Sequence, residues 1–200
     1  VGSEMCIRDS NGTPPFDEQN PSAENIARHI IWTVIEDALP EEALLPAEIL
    51  RDSGFATAGL WRNGWVAPNF GFGQGFEIYQ SPVGLQAPAT MRSEARAGRI
   101  DGTDIDIVFT AKEFLRANRD TRWFLYLHFM DVHQYISTEE TAIFGTTYSD
   151  SYDNSILWTD GTLDLLLGHL ADEGHLENTV IVIASDHGEA FGERGLEGHA

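Results

Sequence analysis

Thr179–Ala200 reads TVIVIASDHGEAFGERGLEGHA, and the reading of this stretch decides the fold. It opens with four consecutive apolar, β-branched residues, Val180-Ile181-Val182-Ile183. Such a run predicts a strand buried on both faces, as in a parallel sheet covered by helices. The run stops at Ser185-Asp186-His187-Gly188-Glu189. A carboxylate beside an imidazole is costly to bury without partners, and a bound cation would supply one. Ligands of open α/β sheets sit outside the carboxyl ends of the strands, where these side chains are expected to emerge.

Working back from that strand, Tyr148 to Ala171 predicts a helix with Ile156, Leu163, Leu166, Leu167 and Leu170 on one stripe and Gly174 as its stop. Before it lies a second apolar run, Arg122–Met130, RWFLYLHFM, which ends in Asp131-Val132-His133. Strand, helix and strand in that order predict a parallel pair with a right-handed crossover. Parallel strands release their carboxyl ends at one edge, so Asp131 and His133 are expected beside Asp186 and His187.

Further upstream, Thr103 to Ala117 predicts a helix, with Ile105, Val108, Phe109 and Leu115 at helical spacing and Thr103 or Asp104 as its cap. Pro46 and Gly54 bracket a short helix, PAEILRDS, with Pro at the start and Gly past the end. Phe55–Leu60 is a strand candidate. Trp61–Tyr79 carries Gly71, Gly73 and Gly75, but Phe76 stands where a dinucleotide fingerprint needs its third glycine. An irregular loop pinned by Phe70, Phe72 and Phe76, with Glu77 to Tyr79 extended, is expected there. Ser81–Gly102 reads as loop with a small basic cluster, Arg92, Arg96 and Arg99. Ile26–Ile35 is short and apolar, strand or helix.

The formal net charge of the 200 residues is -20, with Lys112 as the single lysine. Phosphate backbones recruit Lys and Arg, so nucleic acid is excluded as a default partner. No apolar run is long enough to span a bilayer. Cys6 is the single cysteine, which excludes an internal disulfide. It lies in VGSEMCIRDS, residues 1–10, which resembles translated adapter sequence and is set aside as a non-native tail. Residues 11–38 form an edge segment, and residues 39–200 are expected to be a partial catalytic domain cut at both ends.

Asp186 and His187 admit two readings: metal ligands through oxygen and imidazole nitrogen, or a turn cap beside a surface histidine. His133 is either an acid or anion binder at an ester oxygen or a hydrogen-bonded loop histidine. His199, after the glycine-bearing loop Gly195-Leu196-Glu197-Gly198, could reach the same edge or sit exposed. Glu189 and Glu193 are assigned to solvent or to support of the ligands. His128 is assigned to the core, and His29, His169, His175 and Asp160 to structural or exposed positions. A Gly-x-Ser-x-Gly elbow, His-Glu-x-x-His and a Walker loop are absent from the sequence.

The order PAEILRDSGFATAGLWRN, FGFGQGFEIY, RWFLYLHFMDVH and YSDSYDNSILWTDGTLDLLLGHLADEGHLENTVIVIASDHGEAFGERG resembles the sulfatase family of the alkaline phosphatase superfamily, from about Leu39 onward. The resemblance implies an α/β fold, with a mixed, mainly parallel sheet between helices. It implies hydrolysis of sulfate esters, of small molecules or glycans, at a divalent cation, usually Ca2+, with Mg2+, Mn2+ or Zn2+ as alternatives. It also implies a formylglycine nucleophile made from Cys or Ser in Cys/Ser-x-Pro-x-Arg, and export to the periplasm or outside.

Carried over by motif, Asp186 and His187 match the late metal-binding pair, His133 the substrate-binding histidine, and His199 the Lys or His near the ester oxygens. Many members have Asp-Asn where this chain has Asp-His, a pair shared with phosphate- and phosphonate-ester branches. The early Asp-Asp pair and the Cys/Ser-x-Pro-x-Arg motif do not occur in the sequence. The parent protein is therefore expected to be active and these 200 residues alone inactive. The competing readings are a phosphodiester or phosphonate hydrolase, a phosphoethanolamine-type transferase, or a catalytically dead binding domain.

Overall fold

The computed structural model describes residues 38–82 and 103–198. The chain divides into two compact units, Pro40–Ile181 and Val1–Leu39 with Val182–Ala200. The first holds helix α1 (Pro46–Asp52), strands β1 (Ala56–Leu60) and β2 (Ile78–Gln80), helix α2 (Asp104–Ala117), strand β3 (Trp123–Leu127) and helix α3 (Tyr148–Asp172). The second holds two short strands, β4 (Ala190–Phe191) and β5 (Glu197–Gly198). Ile26–Ile35 and the Arg92, Arg96, Arg99 cluster lie outside the described residues.

The sheet of the larger unit is parallel, in the order β2-β1-β3. Alternation along β3 explains its position between layers. Trp123, Leu125 and Leu127 pack, with Phe129, against a buried cluster of Leu60, Ile107, Val108, Ala111, Leu115, Leu166 and Leu170. Phe124 and Tyr126 project to the opposite face, where Phe76 stacks on Phe124 at 5.7 Å and tilts against Tyr126 at 6.2 Å. Helices α2 and α3 therefore cover one face. The aromatic loop 61–79 and α1 cover the other.

Two glycines make that second face possible. A Cβ on Gly59 would stand 2.4 Å from the Tyr79 ring, so the ring lies directly on the β1 backbone. Gly75 has φ +82, and a Cβ there would meet the Glu48 backbone nitrogen at 2.2 Å. That close approach lets the Gly75 carbonyl accept the Thr57 hydroxyl at 2.9 Å and tie the loop to β1.

The helices follow their local signals. Pro46 stands at the start of α1, and the Gly54 amide donates to the Arg51 carbonyl beyond its end. Thr103 precedes α2, with its amide held by the Asp106 carboxylate at 2.8 Å. Thr147 caps α3, and the Gly174 amide closes it on the Ala171 carbonyl. The buried stripe of α2 is Ile107, Val108, Ala111, Phe114 and Leu115, and Phe109 faces outward beneath Lys112. On α3, Leu166 and Leu170 are buried as expected, but Ile156 is exposed.

One expectation is corrected. Val180–Ile183 is not a buried strand: it has no regular structure, and its side chains are 44–90% exposed. Among the described residues no strand pairs with it. A β-branched run measures fit to a pleated surface. Without a hydrogen-bonded neighbour it has no ladder to join. The parallel pair that exists is β1 with β3, in register from Ala56↔Trp123 to Leu60↔Leu127.

The glycine-bearing loop Gly195–Gly198 is ordered locally. It is a tight turn entering β5, with Gly198 opposite Ala190 in an antiparallel hairpin. The Gly192 amide donates to Leu196 and the Phe191 amide to the Glu193 carboxylate, so the turn is closed from both sides.

Candidate functional site

Because β1 and β3 are parallel and end in register at Leu60 and Leu127, their exits share one edge. Trp61 and Arg62 leave β1 there, and His128 to His133 leave β3. The N-terminus of α2 reaches the same edge through Asp104. Five side chains from four elements then close on each other.

Arg62 Nη1 donates to Asp104 Oδ1 at 2.8 Å and to Asp131 Oδ1, and Arg62 Nη2 donates to Gln134 Oε1 at 2.9 Å. Asp104 accepts the Met130 amide at 2.9 Å through Oδ1 and the Asp131 amide at 2.8 Å through Oδ2. Asp131 Oδ2 accepts the Asp104 amide at 3.0 Å and the indole N–H of Trp158, on α3, at 2.7 Å. The two aspartates thus brace each other's backbone reciprocally.

The three ionic side chains are buried: 6% of Arg62 is exposed, and none of Asp104 or Asp131. Burial pushes the Asp104 carboxyl up to about 6, with the Asp131 charge adding to it. Arg62 and the Met130 and Asp131 amides pull the other way. Burial alone would lower the Arg62 guanidinium, but the neighbouring Asp131 and Asp104 charges outweigh it and raise its pKa.

His133 lies in the turn that this cluster holds. The Gln134, Tyr135 and Ile136 amides donate back to Met130, Val132 and Asp131 across residues 130–136. Tyr135 has φ 55, uncommon for a residue with a Cβ. Its hydroxyl bonds the Tyr148 hydroxyl at 2.7 Å, with the rings stacked at 5.3 Å. His133 itself is exposed at the tip. Asp131 and His133 follow β3 at its carboxyl end; the parallel strand at Val180–Ile183 that was expected to bring Asp186 and His187 to the same edge is not formed.

Asp186 and His187 belong to the smaller unit, in the segment before β4. The Asp186 Oδ1 accepts the His187 amide at 3.0 Å. The His187 Nδ1 is 2.8 Å from the Gly188 carbonyl oxygen, which can only accept. Nδ1 is therefore the donor in this contact. Nε2 is 3.7 Å from Asp186 Oδ2. Two donors about 2.0 to 2.6 Å from a shared ion, at roughly a right angle to each other, are separated by about 3 to 4 Å.

The 3.7 Å spacing is that of an Asp–His ion pair and also lies within the span of two ligands on one ion. Among the described residues no group of three or more His, Cys, Asp or Glu side chains is placed to hold an ion. His199 lies outside the described residues.

Reasoning from the sequence missed Arg62, Asp104 and Trp158. By sequence Asp104 has the place of a helix cap, and Arg62 stands in an aromatic loop. The available signal was their position: an arginine two residues past a strand, and an acid in the first turn of the following helix. His128 sits at the end of β3, half buried, with its amide donating to the Leu60 carbonyl. Asp160 is exposed on α3, as expected.

A rat (Rattus norvegicus) steryl-sulfatase is 35% identical over 89 residues, which are 44% of this chain and 15% of that protein. The solved structure of a protein in the alkaline phosphatase superfamily from Vibrio parahaemolyticus superposes with a TM-score of 0.50 at 18% identity, covering 70% of this chain and 34% of that one. The lipoteichoic acid synthase LtaP of Listeria monocytogenes gives a TM-score of 0.48 at 14% identity, covering 72% of this chain and 40% of that one. The chain therefore spans well under half the length of each of these proteins. The family described as Sulfatase matches residues 16–200, nearly the whole sequence, and the chain belongs to the sulfatase family.

Proposed function

We propose that this chain is part of a metal-dependent sulfuric ester hydrolase acting on a small-molecule or glycan sulfate ester. The observation that carries the reading is the match of the sulfatase family to residues 16–200, with the Asp-x-His and Asp-His motifs in the family's order. Catalysis by the parent protein also needs a nucleophile, expected as a formylglycine, and the early acidic ligands.

In this reading Asp186 and His187 hold a divalent cation, Ca2+ by the family pattern, with Mg2+, Mn2+ or Zn2+ as alternatives. Bound there, the ion would neutralise the non-bridging oxygens of the ester. His133, exposed on a braced turn, offers an N–H to an ester oxygen. His199 is assigned to the oxygen that leaves, as a proton donor. Export to the periplasm or exterior is part of the same proposal. No helix among the described residues is long and apolar enough to cross a membrane.

A second reading is favoured by one observation: this chain has Asp186-His187 where many sulfatases have Asp-Asn, and the histidine is shared with phosphodiester and phosphonate branches. The deciding experiment compares kcat/KM of the full-length protein for an aryl sulfate, a bis-aryl phosphate diester and an aryl phosphonate. The sulfatase reading expects the sulfate to be preferred by at least about tenfold, or 1.4 kcal/mol. A diester or phosphonate preferred by that margin would replace it with the second reading.

A further inference from the structure

We propose that Arg62 is a positioning residue for His133, with Asp104 and Asp131 holding its guanidinium in place and Trp158 steadying Asp131. The inference rests on the reading of His133 as the imidazole that meets the ester.

Three observations point there. The first is the placement of the fork. One guanidinium contacts Asp131 and Gln134, the two residues that bracket Val132-His133, and it also contacts Asp104 at the start of α2. An ammonium group lacks this rigid planar fork. The second is the bracing of the turn from the opposite side, where Tyr135, at φ 55, is held by the Tyr148 hydroxyl on α3. A non-glycine residue persists in that region only when its surroundings fix it, and such residues concentrate at functional sites.

The third is the cost of the arrangement. One cation and two carboxylates are almost wholly removed from water. Apolar side chains of similar volume would close the same edge with no desolvation penalty. The cluster instead fixes geometry: both oxygens of each aspartate are used, and β1, α2, β3 and α3 are tied to one turn. Rigid support of this kind is what a group acting on a substrate requires, since displacement by about 1 Å can cost about 100-fold in rate.

The test is a double-mutant cycle on aryl sulfate turnover by the full-length protein, using Arg62→Gln and His133→Ala. We expect Arg62→Gln alone to lower kcat/KM by about 10- to 100-fold. We expect a further loss of less than about twofold when it is added to His133→Ala, and no recovery with Arg62→Lys. Equal losses from Arg62→Gln in both backgrounds would overturn the inference and leave the reading of His133 standing. So would recovery with Arg62→Lys. Unchanged turnover in His133→Ala would instead remove the role of His133, and the inference with it. If Arg62→Gln does not fold, the same cycle is run with Trp158→Phe, which deletes one Asp131 donor and no charge. A loss with Trp158→Phe that vanishes in the His133→Ala background supports the inference, and an additive one overturns it.

Discussion

Replacing Arg62 with methionine preserves the length and apolar surface of the stem and deletes the fork, which makes it the cleanest perturbation of the buried cluster. The two aspartates keep their backbone amides and Trp158, but lose the cation they share. Removing one partner of a buried ion pair costs about 3 to 5 kcal/mol. The remaining donors place this case near the lower end, about 3 kcal/mol at pH 8. The cost should also depend on pH. Asp104 is already pushed up to about 6 from an ordinary 3.8, against the pull of Arg62. Without Arg62 it rises further.

A carboxyl whose pKa is higher folded than unfolded binds its proton more tightly in the folded state. Its contribution to stability therefore grows as pH falls from above the folded pKa toward the unfolded value. The gap between wild type and Arg62→Met should then narrow by about 1 kcal/mol or more between pH 8 and pH 5, one unit of pKa being worth about 1.4 kcal/mol. Urea unfolding followed by tryptophan fluorescence measures both quantities, and Trp158 reports from within the cluster. A cost below about 1 kcal/mol at pH 8, or the same cost at both pH values, would refute the view that these carboxylates depend on one cation.

Other consequences follow from the same structure. Gly75→Ala places a methyl against the α1 backbone at a positive φ, and should cost about 2 to 4 kcal/mol in a thermal or urea melt. Thr147→Ala removes the hydroxyl that accepts the Asp150 amide at 3.2 Å, and should cost about 1 kcal/mol, with faster amide exchange in the first turn of α3. In the same cap, the Thr147 hydroxyl and then the Thr147 amide hold the Asp150 carboxyl below its ordinary range. A depressed folded pKa gives stability that is present above the unfolded value and lost as pH falls through the folded one. The first turn of α3 should accordingly loosen only below about pH 4, and Asp150→Asn should remove that dependence.

Much of the larger unit was legible because its signals are local. Pro46 and Gly54 mark α1, Thr103 marks the start of α2, and the apolar run from Arg122 marks β3. Val180–Ile183 was misread for a physical reason: apolar β-branched side chains state a preference for a pleated surface, while a strand also needs a neighbour for its backbone. On α2, helical spacing alone did not tell Ile107 from Ile105, because both phases lay on plausible stripes and tertiary packing chose between them.

The site divides in the same way. Asp131 and His133 were visible as a polar exit from an apolar strand. Arg62 was not, because its partners Asp104 and Asp131 are 42 and 69 positions away, and no local pattern encodes such a pairing. The adjacency of Asp186 and His187 could be read directly. How the His187 ring lies against the Gly188 carbonyl is not encoded in the dipeptide, and only a structure shows it.

The most direct test of the proposed chemistry is the metal dependence of aryl sulfate hydrolysis by the full-length protein, measured after chelation and Ca2+ titration for wild type, Asp186→Asn and His187→Ala. The account predicts that chelation abolishes wild-type turnover, that Ca2+ restores it, and that His187→Ala needs at least about tenfold more ion. Wild-type turnover that survives chelation, together with unchanged ion requirements in both variants, would contradict it.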